Sequence, residues 1–291
     1  MAKYTLSEIL PDYTDFGPIS AKADALCGVY LGSNTVLTKI WSGHLMTVYT
    51  GDVIVTPHLI NIGINEPHVT RTLVSLIRPG DVFVDVGANV GYFSVLGAWQ
   101  SYPGGKVWAF EPNPNVYSIL HGNMNTSGYS PLAKCRQIAL SDRPGSASLR
   151  VFKGFEATST IRDVPQQFID HTREETGQES YLVDVEINTL DAEMRDVPEI
   201  DVMKIDVEGH EPSMIRGATE ILSRSKTVKV VMEFVPPIMG DEQTGRLIQD
   251  LRQMGFAIYT IEHDFTFILQ DDDRRLAAIP FADLLLIKRT H

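Results

Sequence analysis

Short apolar runs that close on an acid or a glycine set the rhythm of this chain from residue 82 onward. Residues 82–86, 106–110, 134–140, 200–205, 227–234, 256–261 and 283–288 each read as a buried strand. Between most of them the apolar spacing turns helical, near 91–100, 113–126, 212–224 and 241–254. Pro67 opens a further helix to about Ile77, which Pro79-Gly80 stops. Strands alternating with helices predict an α/β fold, a Rossmann-like doubly wound sheet with right-handed crossovers. Upstream the texture differs. From about Ile19 to Ile64, β-like runs at 28–34, 45–49 and 52–55 are broken by Gly and Asn, which predicts a small N-terminal sheet or hairpin. The expected division is a β-rich extension over 1–65 and an α/β domain over 66–291. Within the latter, Ser146–Phe152 and Tyr181–Ile187 read as an inserted strand pair, spanning about 146–188. The long polar segment between them suits a surface excursion or a substrate lid.

The strand at 82–86 delivers the most informative loop, Asp85-Val86-Gly87-Ala88-Asn89-Val90-Gly91. Gly87 permits a sharp turn at positive φ and close approach of a ligand, and Gly91 lets the following helix pack tightly. The free N–H groups of that helix's first turn favour an anionic group. About twenty residues on, a second apolar strand ends at Glu111, where a carboxylate accepts both ribose hydroxyls of an adenosine-containing cofactor. Nicotinamide and flavin loops place a glycine two positions after the first one, for the pyrophosphate. Here Asn89 holds that place, and Asp85 would repel a pyrophosphate but can accept a hydrogen bond from an ammonium. S-adenosylmethionine carries that ammonium, a carboxylate for the helix N-terminus and a ribose for Glu111. The chemistry selects it over a dinucleotide.

A second concentration of acids follows the strand at 200–205. Asp206, Glu208, His210 and Glu211 sit on a Gly-containing turn before Pro212 opens a helix. Ligands collect at the carboxyl ends of strands in an open α/β sheet, so Asp206 should face the cofactor. His210 has a side chain whose ordinary pKa suits a general base near neutrality. Glu233, ending the neighbouring strand, is the third catalytic candidate. Glu211 reads better as a helix-start acid than as a reacting group, and Lys204 as the partner of a neighbouring carboxylate. Nothing in the spacing of Asp206, Glu208, His210 and Glu233 demands a divalent cation, and the site is expected to be metal-free.

Composition narrows the partners. The 291 residues carry 25 Lys and Arg against 37 Asp and Glu, for a formal net charge of −12. That field disfavours nucleic acid and anionic membrane surfaces. No apolar stretch approaches the ~20 residues of a membrane span, and residues 1–8 lack the features of a signal peptide. Cys27 and Cys135 stand far apart and read as structural thiols of a reducing compartment, so a cytoplasmic location is expected.

Four motifs in order carry a resemblance: Asp85–Tyr92, Phe110-Glu111-Pro112-Asn113-Pro114, Ile138–Asp142 and Met203–Glu211. Together, across about 66–234, the sequence resembles the FkbM-type class I methyltransferases. The resemblance implies a seven-stranded sheet with one antiparallel edge strand, S-adenosylmethionine as donor, and O-methylation of a sugar, polyketide or other small metabolite. It implies further that Asp85, Gly87, Ala88, Asn89 and Gly91 hold the methionine part, that Glu111 holds the ribose, and that Pro112 and Asn113 shape the adenine side. Ser141 and Asp142 would lie at the adenine edge, and Glu66 matches a recurring family element before its helix. The expected partner is a small hydroxylated acceptor, with a homodimer possible. The alternatives are methylation of an amino group or a macromolecule, and a non-catalytic binder of an adenosyl ligand.

Overall fold

A computed structural model describes residues 3–10 and 28–288. Its strands, in chain order, are β1 (Lys3–Tyr4), β2 (Val29–Gly32), β3 (Thr35–Lys39), β4 (Leu45–Tyr49), β5 (Val82–Val86), β6 (Lys106–Phe110) and β7 (Ala133–Arg136). There follow β8 (Ala139–Leu140), β9 (Gly145–Phe152), β10 (Ser180–Asn188), β11 (Val202–Ile205) and β12 (Lys229–Phe234). The last three are β13 (Phe256–Ile261), β14 (Phe267–Leu269) and β15 (Ala282–Lys288).

The central sheet runs β1-β14-β13-β15-β12-β11-β5-β6-β7. Its seven long strands are those the apolar runs predicted, and β14 and β1 extend one edge. From β7 to β12 all neighbours are parallel. The antiparallel strand expected at the edge is interior: β15 lies antiparallel between β12 and β13. Strand order reverses at β5, whose neighbours are β6 and β11. The crevice outside the carboxyl ends of β5 and β11 is therefore the topological switch point where such sheets bind ligands.

Alternating strand residues feed two cores. Phe83, Val107, Val202 and Val231 pack with the helices Pro67–Leu76, Tyr92–Ser101 and Pro114–Thr126 on one face. Val84, Phe110, Met203 and Met232 pack with the helices Glu211–Arg216, Thr219–Arg224 and Asp241–Gln253 on the other. Asp85 and Lys204 face each other in the β5–β11 register. They share the side of Phe83 and Val202.

Strands β2, β3 and β4 form a separate antiparallel sheet, and Val36, Met46 and Val48 join the first core. Buried Asn123 ties that sheet to the ligand loop, donating to the Thr47 and Val90 carbonyls at 2.9 and 2.7 Å and accepting the Thr47 N–H at 2.7 Å. Residues 11–27, with Cys27 and part of the expected extension, lie outside the described residues. Cys135 is a free thiol on β7. No helix among the described residues is long and apolar enough to cross a membrane.

Three local expectations change. Residues 52–55 are not a strand: the Asp52 carboxylate accepts the N–H groups of Ile54 at 3.3 Å and Thr56 at 2.6 Å, which starts the helix Val55–Asn61. The run at 134–140 divides into β7 in the central sheet and β8, which pairs parallel with β10 in the insertion sheet β8-β10-β9. The helix expected over 212–224 breaks at Gly217, where a Cβ would stand 1.9 Å from the Ser141 carbonyl oxygen. Between the inserted strands lies a helix, Gln166–Thr176, that the polar sequence concealed.

Candidate active site

A cavity opens at the switch point. Gly87, Ala88, Asn89, Val90, Glu111 and Pro112 line its β5–β6 side. Gly87 adopts φ 75°, as a tight turn requires, but its missing Cβ serves the neighbouring strand: it would stand 1.7 Å from the Asp206 carbonyl oxygen. Asn89 is also left-handed, at φ 50°, and its side chain accepts the Val90 N–H at 2.7 Å. Glu111 is 7% exposed and fastens the loop from within. One oxygen accepts the Asn89 N–H at 3.0 Å and the other the Asn113 N–H at 2.8 Å. Burial pushes its pKa up to about 7 despite those two donors. Each oxygen retains a lone pair for a hydroxyl, so this side fits the ribose of an adenosyl ligand.

The β11–β12 side is an acidic group. Glu66, Lys204, Asp206, Glu208 and Glu233 all line the cavity. One carboxylate oxygen each from Asp206, Glu208 and Glu233 lies within 4.8 Å of the others. That spacing is short enough for a divalent cation, yet it is equally that of acids sharing protons, and no further observation selects a metal. No hydrogen bond among the described residues reaches the carboxylates of Glu208 or Glu233. Burial and then the Asp206 charge push Glu208 up to about 8, and the same two causes, with Glu208, raise Glu233 to about 11. Glu66 rises to about 7, again chiefly by burial. The counter-charge is Lys204, 5% exposed, whose Nζ donates to Asp206 Oδ2 at 2.8 Å and lies 4.8 Å from the centre of the Phe93 ring. Burial works to discharge this amine, but Asp206, Glu66 and Asp85 together outweigh it and hold it charged.

Turn geometry explains why these acids converge. Glu208 and Gly209 are both left-handed, at φ 53° and 90°, so the chain doubles back directly after β11. Glu211 closes the turn by accepting the N–H groups of Val207 and Gly209 at 3.1 and 3.2 Å. His210 lines the cavity, but its Nε2 lies 3.0 Å from Ser141 Oγ, and burial pulls its pKa down to about 4. Across the opening, residues 156–159 and Ile161 of the insertion form a strap, and Ile54 and Val55 complete the wall.

The remaining expected residues stand behind the cavity. Asp85 is fully buried; Ser94 donates to one oxygen at 2.6 Å and the other has no hydrogen-bond partner. Gly91, at φ 89°, makes room for Leu120 of the helix Pro114–Thr126. Asn113 caps that helix through the Asn115 N–H at 3.1 Å. Ser141 meets His210, and Asp142 pairs with Arg216 at 3.2 Å. Of the five, none lines the cavity. Sequence reasoning left out Glu208 as a reacting group, because turn residues give no sign of which side chain points inward. Residues 156–159 and Ile161 belong to the long polar segment read as a surface excursion or a substrate lid, and they wall the cavity.

Switch point, loop and cavity fit the class I methyltransferases that the sequence resembles. Within that class the chain belongs to the family described as Methyltransferase FkbM domain, which matches residues 85–258, more than half of it. It is 31% identical over 156 residues to Methyltransferase sdnD of Sordaria araneosa, covering 47% of this chain and 60% of that protein. It is 28% identical over 202 residues to the 31-O-demethyl-FK506 methyltransferase FkbM of Streptomyces tacrolimicus, covering 62% and 75%. It is 27% identical over 162 residues to the hexuronic acid methyltransferase AglP of Haloferax volcanii, covering 54% and 58%.

Proposed function

We propose that this protein methylates a hydroxyl group of a small hydroxylated molecule, using S-adenosylmethionine. One observation carries the reading: a single cavity joins the Gly87–Val90 loop and Glu111 to the carboxylates of Asp206, Glu208 and Glu233. The names of two relatives, acting on 31-O-demethyl-FK506 and on hexuronic acid, support a small acceptor with oxygen as the methylated atom. When bound, S-adenosylmethionine supplies an electrophilic methyl carbon on a sulfonium. The loop and Glu111 would hold the adenosyl and methionine parts. The chain's own contribution is then alignment and proton removal.

Glu208 is the base best matched to neutral pH, since its carboxyl sits near 8 and accepts no competing hydrogen bond. Asp206, held by Lys204, would orient the hydroxyl. Glu233, protonated at ordinary pH, would donate to a second acceptor oxygen. His210, engaged with Ser141 and with a depressed pKa, supports the turn rather than taking the proton.

Titration calorimetry with S-adenosylmethionine, followed by S-adenosylhomocysteine release against a panel of hydroxylated sugars and polyketides, tests the reading. Binding should be lost in Glu111→Ala and kept in Asp206→Asn, which should lose turnover. Donor binding with no turnover on any acceptor would instead mark a non-catalytic adenosyl binder.

A further inference from the structure

Nothing among the described residues hydrogen-bonds the Glu208 carboxylate, so its place in the cavity is inherited from its backbone. That backbone is left-handed at a residue with a full side chain, a conformation that persists only when its surroundings impose it. Glu211 holds the N–H groups on either side of Glu208, and two donors from the insertion hold the Glu208 carbonyl. Thr160 Oγ1 donates to the Glu208 carbonyl at 3.0 Å, and Arg162 Nε donates to the same oxygen at 3.2 Å. Thr160 is buried and is itself pinned to β9, exchanging backbone hydrogen bonds with Arg150 at 2.9 and 3.1 Å. Gly209 completes the fit, because a Cβ there would stand 3.0 Å from Arg162 Cδ and 2.3 Å from Ile238 Cγ2. Ile161, between the two donors, lines the cavity. The same short segment thus walls the acceptor space and grips the turn that carries Glu208.

We infer that Thr160 and Arg162 are positioning residues, a clamp through which the 156–162 strap sets the Glu208 carboxylate against Asp206 and Glu233. The inference rests on the methyl-transfer reading, since it assigns the clamp a role in turnover. It does not require either residue to touch donor or acceptor. The clamp also explains why an insertion remote in sequence from β11 is built into the wall of the site. Its departure would leave the acids present but no longer aimed.

Steady-state kinetics on Arg162→Gln and Thr160→Val, with the conservative Arg162→Lys and Thr160→Ser, test it alongside amide hydrogen exchange of residues 207–210. Each disruptive variant should lower kcat by about tenfold to a hundredfold, the scale of a small misplacement. S-adenosylmethionine affinity should stay within about twofold by calorimetry, the margin for a site left intact. Thr160→Ser, which keeps the hydroxyl donor, and Arg162→Lys, which keeps a cationic donor, should recover most of the loss. Exchange at 207–210 should quicken in the disruptive variants while β11 stays protected. The clamp is overturned if exchange at 207–210 is unchanged, if kcat is unchanged, or if donor affinity falls as far as kcat. If the unaltered protein methylates no acceptor, the functional reading fails on its own, and the exchange measurement still decides whether the clamp holds the turn.

Discussion

At the scale of the residue, environment reassigns roles that chemistry alone had distributed. A histidine on a turn is the obvious base for a neutral-pH reaction, yet His210 is depressed to about 4 by burial. Glu208, an ordinary acid by sequence, is lifted to about 8 by burial and the Asp206 charge. Glu208→Gln should therefore cost about 10²- to 10⁴-fold in kcat with donor binding intact. The carboxylate accepts a proton only when ionised, so kcat/KM for the donor, which reports the free protein, should rise with pH and level off above about 8. A profile levelling near 6.5 would return the role to an ordinary histidine. Gly87 is legible differently. Its positive φ could be read from the loop, but its collision with the Asp206 carbonyl could not, because that contact crosses from β5 to β11. Gly87→Ala should cost at least about 3 kcal/mol in urea denaturation; near-normal stability would show that the loop can relax.

At the scale of the element, period and punctuation succeeded where one face or one run was decisive. The central strands and the helices Pro67–Leu76, Tyr92–Ser101, Pro114–Thr126 and Asp241–Gln253 follow from apolar spacing and Pro/Gly stops. The Asp52-Val53-Ile54-Val55 run misled, since its β-branched residues favour strands. Asp52 overrides them by accepting the first free N–H groups of a helix. Asp52→Ala should cost about 1 kcal/mol. Because Ile54 and Val55 wall the cavity, the same change should raise the acceptor KM while leaving donor affinity untouched. Unchanged stability and KM together would show that tertiary packing alone holds this helix. The helix Gln166–Thr176 escaped notice for the opposite reason: it is polar on nearly every side, so no apolar stripe announces it.

At the scale of the whole molecule, buried acids govern the response to pH. Glu66, Glu111 and Glu211 are all raised to about 7, mainly by burial. Their folded pKa values exceed the unfolded ones, so the folded form binds more protons between about 4.5 and 7. The stability they contribute is complete below that window and is lost as pH rises through it. Relief of the −12 net charge acts in the same direction. The ligand-free protein should accordingly show a higher Tm at pH 5.5 than at pH 8.5 by calorimetry, and saturating S-adenosylmethionine should raise both values. A Tm that climbs with pH would mean these carboxylates are ionised when folded.

The sequence by itself determined the alternation of strands and helices, the ligand loop and its class of ligand. Those features depend on neighbours along the chain: apolar period, a glycine at a turn, an acid at a strand end. Only the tertiary structure decided which acids meet. Glu66, Asp206, Glu208 and Glu233 arrive from the start of one helix, one turn and one strand end, and the strap that grips the Glu208 carbonyl comes from 46 and 48 residues earlier in the chain. Proton affinity at such a site is set by burial and by charges brought near in space, and neither quantity is written in the local order of residues.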